Sequence, residues 1–347
     1  MTSREIIRRV LAFDNPPRIG FAFSGYEGQE RLSDFVGCGP ADDPNHDPNV
    51  HLDEAGGEVS TDEWGCIWRR LPGKTTAGEV VEPPIKALED LDSYRLPTLD
   101  DPKRYEHGAQ TRASYPDRYM LGSIAACSFN SARYLRRLEQ YLLDCAAEPE
   151  QVKRLNRMVS DLVLRQVDIY ADLGCDGVFF CEDWGTQERL LVSPRMWRDI
   201  FRPDFERLIL HAHKRGLTVW MHSCGYVHDI IPELVTLGMD VLQFDQPDLH
   251  GLEALAEYQG QVTYYCPVDI QKTLQTGDET AIKRRAVEMV GLLGGVRSGR
   301  YGGFVAKNYG DTKSLGVPDL WEHWAYEGFL QAAEYPENSE SAKGQSP

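Results

Sequence analysis

Residues Leu217 to Gly225 read LTVWMHSCG. The apolar run Leu217–Met221 has the length and composition of a buried strand, and it leads straight into His222-Ser223-Cys224-Gly225. Side chains two apart on a strand share a face, so His222 and Cys224 project together. An imidazole beside a thiolate at the end of a buried strand makes half of a zinc site. A core histidine next to a small apolar cysteine is the structural alternative.

Working outward, strands and helices alternate. Tyr119–Phe129, Gly177–Trp184, Leu217–Cys224, Asp240–Asp245, Val262–Val268 and Gly303–Asn308 read as strands. Helical patterns fill 131–146, 148–173, 193–215, 227–237, 251–258, 278–293 and 319–333. Upstream lie a short helix over 2–13 capped by Thr2 or Ser3, and a strand over Arg18–Ser24. A hairpin over Val59–Leu71, turning near Gly65, offers Trp64 and Trp68 to cover the barrel or a substrate. Stretches 37–57 and 72–118 read as loops. This alternation predicts a parallel α/β fold, a single (β/α)8 TIM barrel over 1–335 with loop-rich and hairpin elaboration at its N-terminal side. A doubly wound open sheet is the alternative. The polar tail 336–347 is expected to be disordered.

In such a barrel the functional groups gather at the C-terminal ends of the strands. Those ends carry Cys127, Cys181-Glu182-Asp183, His222 and Cys224, Asp245, Cys266, and Lys307-Asn308-Tyr309. Composition narrows the function classes. The chain has 347 residues and a net charge of −17, so no basic footprint for nucleic acid is present. No apolar run spans a membrane and the N-terminus lacks a signal-peptide core, so a cytosolic location is expected. Eight scattered cysteines without framework spacing then read as free thiols, a minority available for metal.

Several segments carry a family resemblance: GCDGVFFCEDWG, LVSPRMWRDIFRPDFERLI, GLTVWMHSCG, LGMDVLQFDQ, PVDIQKTLQTGD and GGFVAKNYGD. Together they resemble the uroporphyrinogen decarboxylase superfamily, a barrel family that also holds corrinoid-dependent methyltransferases. True decarboxylases of the family carry an arginine-rich RQAGRY-type segment near the N-terminus and lack the H-x-C-G element. Residues 1–60 here show nothing like the former. The resemblance is therefore to the zinc methyltransferase branch, which includes methylcobamide:coenzyme M methyltransferases and O-demethylase components. It implies zinc, a thiol or corrinoid acceptor, a corrinoid as co-substrate, and a corrinoid protein as a partner.

Carried over residue by residue, His222 and Cys224 match the first two zinc ligands, and Asp245 stands where the branch places an acidic one. The branch's last ligand is a cysteine in an A-P-G-C stretch, where this chain has Ala306-Lys307-Asn308-Tyr309-Gly310. Cys266 is the expected replacement. Asp245 also fits a helix cap or an orienting partner of His222. Glu182 or Asp183 is expected to handle protons; being adjacent on a strand, only one enters the site. Trp184, Tyr226, Asn308 and Tyr309 are expected to line the substrate pocket. A metal-free decarboxylase, using Arg189, Arg195 and Arg202 for carboxylates, is the enzyme alternative. A non-catalytic corrinoid- or partner-binding barrel is the other.

Overall fold

The computed structural model describes residues 1–28, 30–73, 78–295 and 299–335. Strands β1 (Gly20–Ala22) and β2 (Phe35–Cys38) come first. Then follow β3 (His51–Leu52), β4 (Glu58–Thr61), β5 (Ile67–Arg70) and β6 (Glu79–Glu82). The remaining six are β7 (Tyr119–Ser123), β8 (Gly177–Cys181), β9 (Thr218–His222), β10 (Val241–Gln243), β11 (Thr263–Cys266) and β12 (Phe304–Lys307). Eight of them form one sheet in the order β1-β12-β11-β10-β9-β8-β7-β2, parallel throughout. Helices surround it, and the fold is a (β/α)8 barrel.

The seam between β1 and β2 is closed by Asp34. Its carboxylate accepts both Arg18 guanidinium nitrogens (2.7 and 2.8 Å) and the Phe21 N–H (2.8 Å). Its backbone bonds to Phe21 on one side and Tyr119 on the other.

Alternation along each strand sorts the side chains into two cores, because both faces of a barrel strand are buried. Phe35, Tyr119, Phe179, Trp220, Val241, Tyr265 and Val305 fill the barrel interior. Val178, Phe180, Val219, Met221, Leu242, Tyr264 and Cys266 face the helices. The helix Ser3–Leu11 plugs the N-terminal end of the barrel with Ile6, Ile7 and Val10. A capping box starts it: Thr2 Oγ1 accepts from Glu5 N (3.2 Å), and Glu5 Oε2 accepts from Thr2 N (2.8 Å).

Several segments differ from expectation: the strand read over Tyr119–Phe129 ends at Ser123, and the helix read over 131–146 is two, Phe129–Arg136 and Leu138–Ala147. Phe35–Cys38 is the second barrel strand, not a loop margin. The stretch 72–118 holds β6 and the helix Glu106–Ser114. Strands β3–β6 make a separate antiparallel sheet. The tail 336–347 lies outside the described residues. Among the described residues no helix is long and apolar enough to cross a membrane.

Candidate metal centre

His222 ends β9 and pairs in register with Cys181 of β8 and Gln243 of β10. Trp220 lies in the barrel interior, so His222, two residues on, stays on that face at the barrel mouth. The loops after β8 and β9 are stitched together. Glu182 N donates to His222 O (2.8 Å), Gly185 N to Cys224 O (3.2 Å) and Tyr226 N to Thr186 O (2.7 Å). Gly225 sits at φ +75°, and a Cβ there would collide with the Gly185 carbonyl. The glycine after Cys224 is thus what lets the two loops touch.

This contact brings Asp183 to the His222–Cys224 pair. His222 Nε2 lies 3.1 Å from Cys224 Sγ and 3.4 Å from Asp183 Oδ1. All three donor atoms fall within 4.8 Å of one another, the one such group among the described residues. His222 Nδ1 contacts Gln243 Oε1, so in the neutral ring the proton sits on Nδ1 and the Nε2 lone pair faces the other two groups. Gln243 Nε2 donates to Asp245 Oδ1 (2.7 Å), and Lys307 Nζ reaches the same oxygen (2.9 Å). A chain of orienting contacts therefore runs His222–Gln243–Asp245–Lys307. On the other side Arg133 (3.4 Å) and Asn130 Nδ2 (3.3 Å) hold Asp183 Oδ2, and Cys224 N donates to Oδ1 (3.1 Å).

Electrostatics follow from these contacts. Burial opposes ionisation of Asp183, but His222, the Cys224 N–H and Arg133 hold its pKa well below the usual carboxylate range. Burial also opposes charge on His222, yet Asp183, Cys224 and Asp245 raise its pKa well above 6.5. One imidazole, one thiol and one carboxylate with an open side match the three-ligand pattern of catalytic zinc. Nε2 at 3.1 and 3.4 Å from the other two donor atoms, and all three within 4.8 Å, suits an ion with bonds of about 2.0–2.3 Å.

Two concavities lie at the C-terminal ends of the strands, and the smaller one reaches the cluster at Asp183. One, about 270 Å³, is walled by Trp64, Cys66, Trp68, Tyr134, Ala125 and Asp183. The other, about 550 Å³, runs past Ser24, Tyr26, Arg31, Asn308, Lys313 and Glu322. Arg31 Nε and Nη2 there are buried without a hydrogen-bond partner among the described residues, as is Glu322 Oε2. Burial pushes the Glu322 carboxyl up to about 7.

The sequence profile of the uroporphyrinogen decarboxylase family matches residues 71–301. The chain belongs to the uroporphyrinogen decarboxylase family. Among solved structures it is similar to a methyltransferase from Methanosarcina mazei, at 15% identity and TM-score 0.58, covering 78% of this chain and 75% of that one. At that identity the likeness shows the shared barrel. A D-allulose 3-epimerase from Methylomonas sp. is more distant, at 12% identity and TM-score 0.40 over 67% of this chain and 85% of that one. No curated protein matches the chain significantly.

In this uroporphyrinogen decarboxylase family member the expected site residues separate into groups. His222 and Cys224 come together as the strand parity requires, and the third donor is Asp183. Cys266 is not brought to them. It shares the face of Tyr264, toward the helices, and is wholly buried there; burial pushes its thiol up to about 12. Asp245 sits on the Nδ1 side of His222, at 3.9 Å, already held by Gln243 and Lys307. That is an orienting position and not a ligand position.

Glu182 points away from the mouth, where it accepts the Ser128, Phe129 and Asn130 N–H groups (2.6, 3.1 and 2.9 Å). It caps the helix Phe129–Arg136, and burial pushes its carboxyl up to about 7 against those bonds. Trp184 is core: its ring stacks on Phe129 at 4.1 Å and packs on Phe201. Tyr226 stacks on His250 at 5.7 Å in the loop after β9. Asn308 lines the larger cleft and bonds Ser24 through both amide atoms. Tyr309 is partly buried, its N–H bound to Glu322 (2.9 Å). Burial first, then the charges of Asp245 and Cys224, raise its phenol pKa.

Residues missed from sequence are Asn130, Arg133, Gln243 and Arg31. Gln243 had a legible signal: Q-x-D on β10 repeats the two-residue spacing of H-x-C on β9.

Proposed function

We propose that the protein is a zinc-dependent methyltransferase in which His222, Cys224 and Asp183 hold the metal and leave one position for a thiol acceptor. What supports it is the convergence of three electron-pair donors, with His222 Nε2 freed by the contact of Nδ1 with Gln243. Zinc held there supplies the positive charge that keeps a thiol ionised near neutral pH. The likeness to a Methanosarcina mazei methyltransferase and the family membership agree with this choice.

The chain's own residues orient and insulate. Gln243, fixed by Asp245 and Lys307, sets the imidazole plane. Arg133 balances the Asp183 charge away from the cluster. The larger cleft, lined by Arg31 and Lys313 and also by Glu27, Asp311, Asp319 and Glu322, gives a polar space of a size for the acceptor. The smaller pocket, which includes Asp183, suits the methyl donor. A methylcobamide, delivered by a corrinoid protein, is the alternative donor, and a corrinoid the alternative acceptor.

A decarboxylase relying on Arg189, Arg195 and Arg202 is not favoured. Arg189 and Arg195 are exposed, and Arg202 is paired with Glu206 and Glu233. The test is elemental analysis of protein purified without added metal, followed by methyl transfer from methylcobamide to a thiol before and after chelation. One zinc per chain and chelator-sensitive transfer are expected. Absence of metal together with release of coproporphyrinogen from uroporphyrinogen overturns the proposal.

A further inference from the structure

The smaller pocket is built partly by residues that precede the family match. Trp64, Cys66 and Trp68 lie on or beside the hairpin β4–β5, ahead of residue 71. The barrel contributes the floor, from Ala125, Ala126, Cys181 and Asp183. A wall supplied from outside the matched region, set against the metal cluster, is where a chain acquires a substrate preference of its own. From its chemistry we infer that this pocket binds a small quaternary methylammonium cation as the methyl donor. The donor role rests on the methyltransferase proposal above; the binding does not.

Charge comes first. Asp62 and Asp183 both line the pocket, and among the described residues no lysine or arginine does. The Asp183 charge is met by His222 and Arg133. Asp62 accepts from Cys66 N (2.8 Å) and from Trp68 Nε1 (2.7 Å), yet has no ion pair among the described residues. A carboxylate fixed on an indole edge, without a countercharge, favours a cationic occupant.

The aromatic wall points the same way. Trp68 meets Tyr134 edge-on, centroids 4.8 Å apart, with Trp64 beside them. Indole faces are the strongest aromatic partners for a cation, and quaternary ammonium groups are their usual guests. The volume, about 270 Å³, lies just below the roughly 300–1,000 Å³ span of drug-sized pockets, so the guest is small.

An ammonium donor needs no acid to protonate its leaving group. The acceptor thiolate forms the S–C bond to the methyl carbon as the C–N bond breaks. The bonding pair stays on nitrogen, and a neutral tertiary amine leaves; no oxidant, reductant or proton is consumed.

The test compares choline with 3,3-dimethylbutan-1-ol, its uncharged carbon isostere, by calorimetry on the full-length protein with and without EDTA. Choline is expected to bind about tenfold more tightly than the isostere, with or without the chelator. Trp68→Leu and Trp64→Leu are each expected to weaken choline several-fold and the isostere less, and Asp62→Asn to weaken choline several-fold while leaving the isostere unchanged. Equal affinity for the two probes, no choline binding, or choline binding indifferent to all three substitutions overturns the assignment. The wild-type comparison alone decides the charge preference should a variant fail to fold. Choline preference in a protein that carries no zinc upholds the binding site and overturns the methyltransferase proposal, so the two fail separately.

Discussion

Strand β8 carries a carboxylate at each end, and the two are held in opposite ways. Asp176 precedes the strand at the N-terminal end of the barrel, and Asp183 follows it at the mouth. Asp176 is almost wholly buried and saturated by donors: Arg4 (2.7 Å), Arg8 (2.8 Å), Arg112 (3.3 Å) and the Met120 N–H (3.1 Å). Asp183 has Arg133 and Asn130 on one oxygen only. Its other oxygen accepts the Cys224 N–H (3.1 Å) and faces the His222 imidazole and the Cys224 sulfur. Charge at the N-terminal end is closed by complementary charge. At the mouth an imidazole, a thiol and a carboxylate, all groups able to ligate a metal, converge on one point. In a barrel the first pattern serves stability and the second serves chemistry.

The contrast is broken hardest at the closed end. Asp176→Asn leaves three arginines around a neutral amide. It is expected to cost about 3–5 kcal/mol, as for other buried pairs that lose one partner. Urea denaturation measures this, and metal content per folded molecule is expected to stay unchanged. At the mouth the expectation reverses. Cys224→Ser is expected to lower zinc affinity by more than about 100-fold, beyond the usual loss from an orienting residue, with little change in the urea midpoint. Cys266→Ser serves as its control. Zinc is retained, while a hydroxyl in the apolar helix layer costs about 1–3 kcal/mol.

A finer test targets orientation. Gln243→Leu removes the partner of His222 Nδ1 without touching a ligand, and is expected to cost about 10–100-fold in zinc affinity by competition with a chelator dye. The smallest effect is again at the closed end, where His213 donates to Asp240 (2.7 Å) just before β10. That hydrogen bond raises the His213 pKa above 6.5, opposed by partial burial. The stabilisation is therefore complete below the unfolded value and fades as pH rises through the folded one. The pair is part-exposed and screened, so His213→Ala is expected to cost under ~1 kcal/mol at pH 6 and less at pH 9. Melting curves at the two pH values check the sign.

Much of this was legible in the sequence. The six regularly spaced strands from Tyr119 onward announced a parallel α/β fold, because a strand buried on both faces is continuously apolar. Strand β2 was hidden by brevity: Phe35–Cys38 is four residues beside a Gly- and Pro-rich stretch, and its pairing with β7 is long-range. At the site, parity on β9 placed His222 and Cys224 together. Parity on β11 needed one more fact, which face looks inward, and Cys266 sits on the other one. Asp183 was visible as a strand-end acid. Its place beside His222 and Cys224 depends on the contact between Gly185 and Gly225, in two loops whose meeting no local pattern encodes.

The claim that His222, Cys224 and Asp183 hold one zinc is tested most directly by X-ray absorption at the zinc edge, on protein purified without added metal and then given a thiol. One sulfur among lighter nitrogen and oxygen ligands is predicted at first, rising to two when the thiol is added, with the first sulfur lost in Cys224→Ser. Two sulfurs in the absence of added thiol, falling to one in Cys266→Ser, would contradict it.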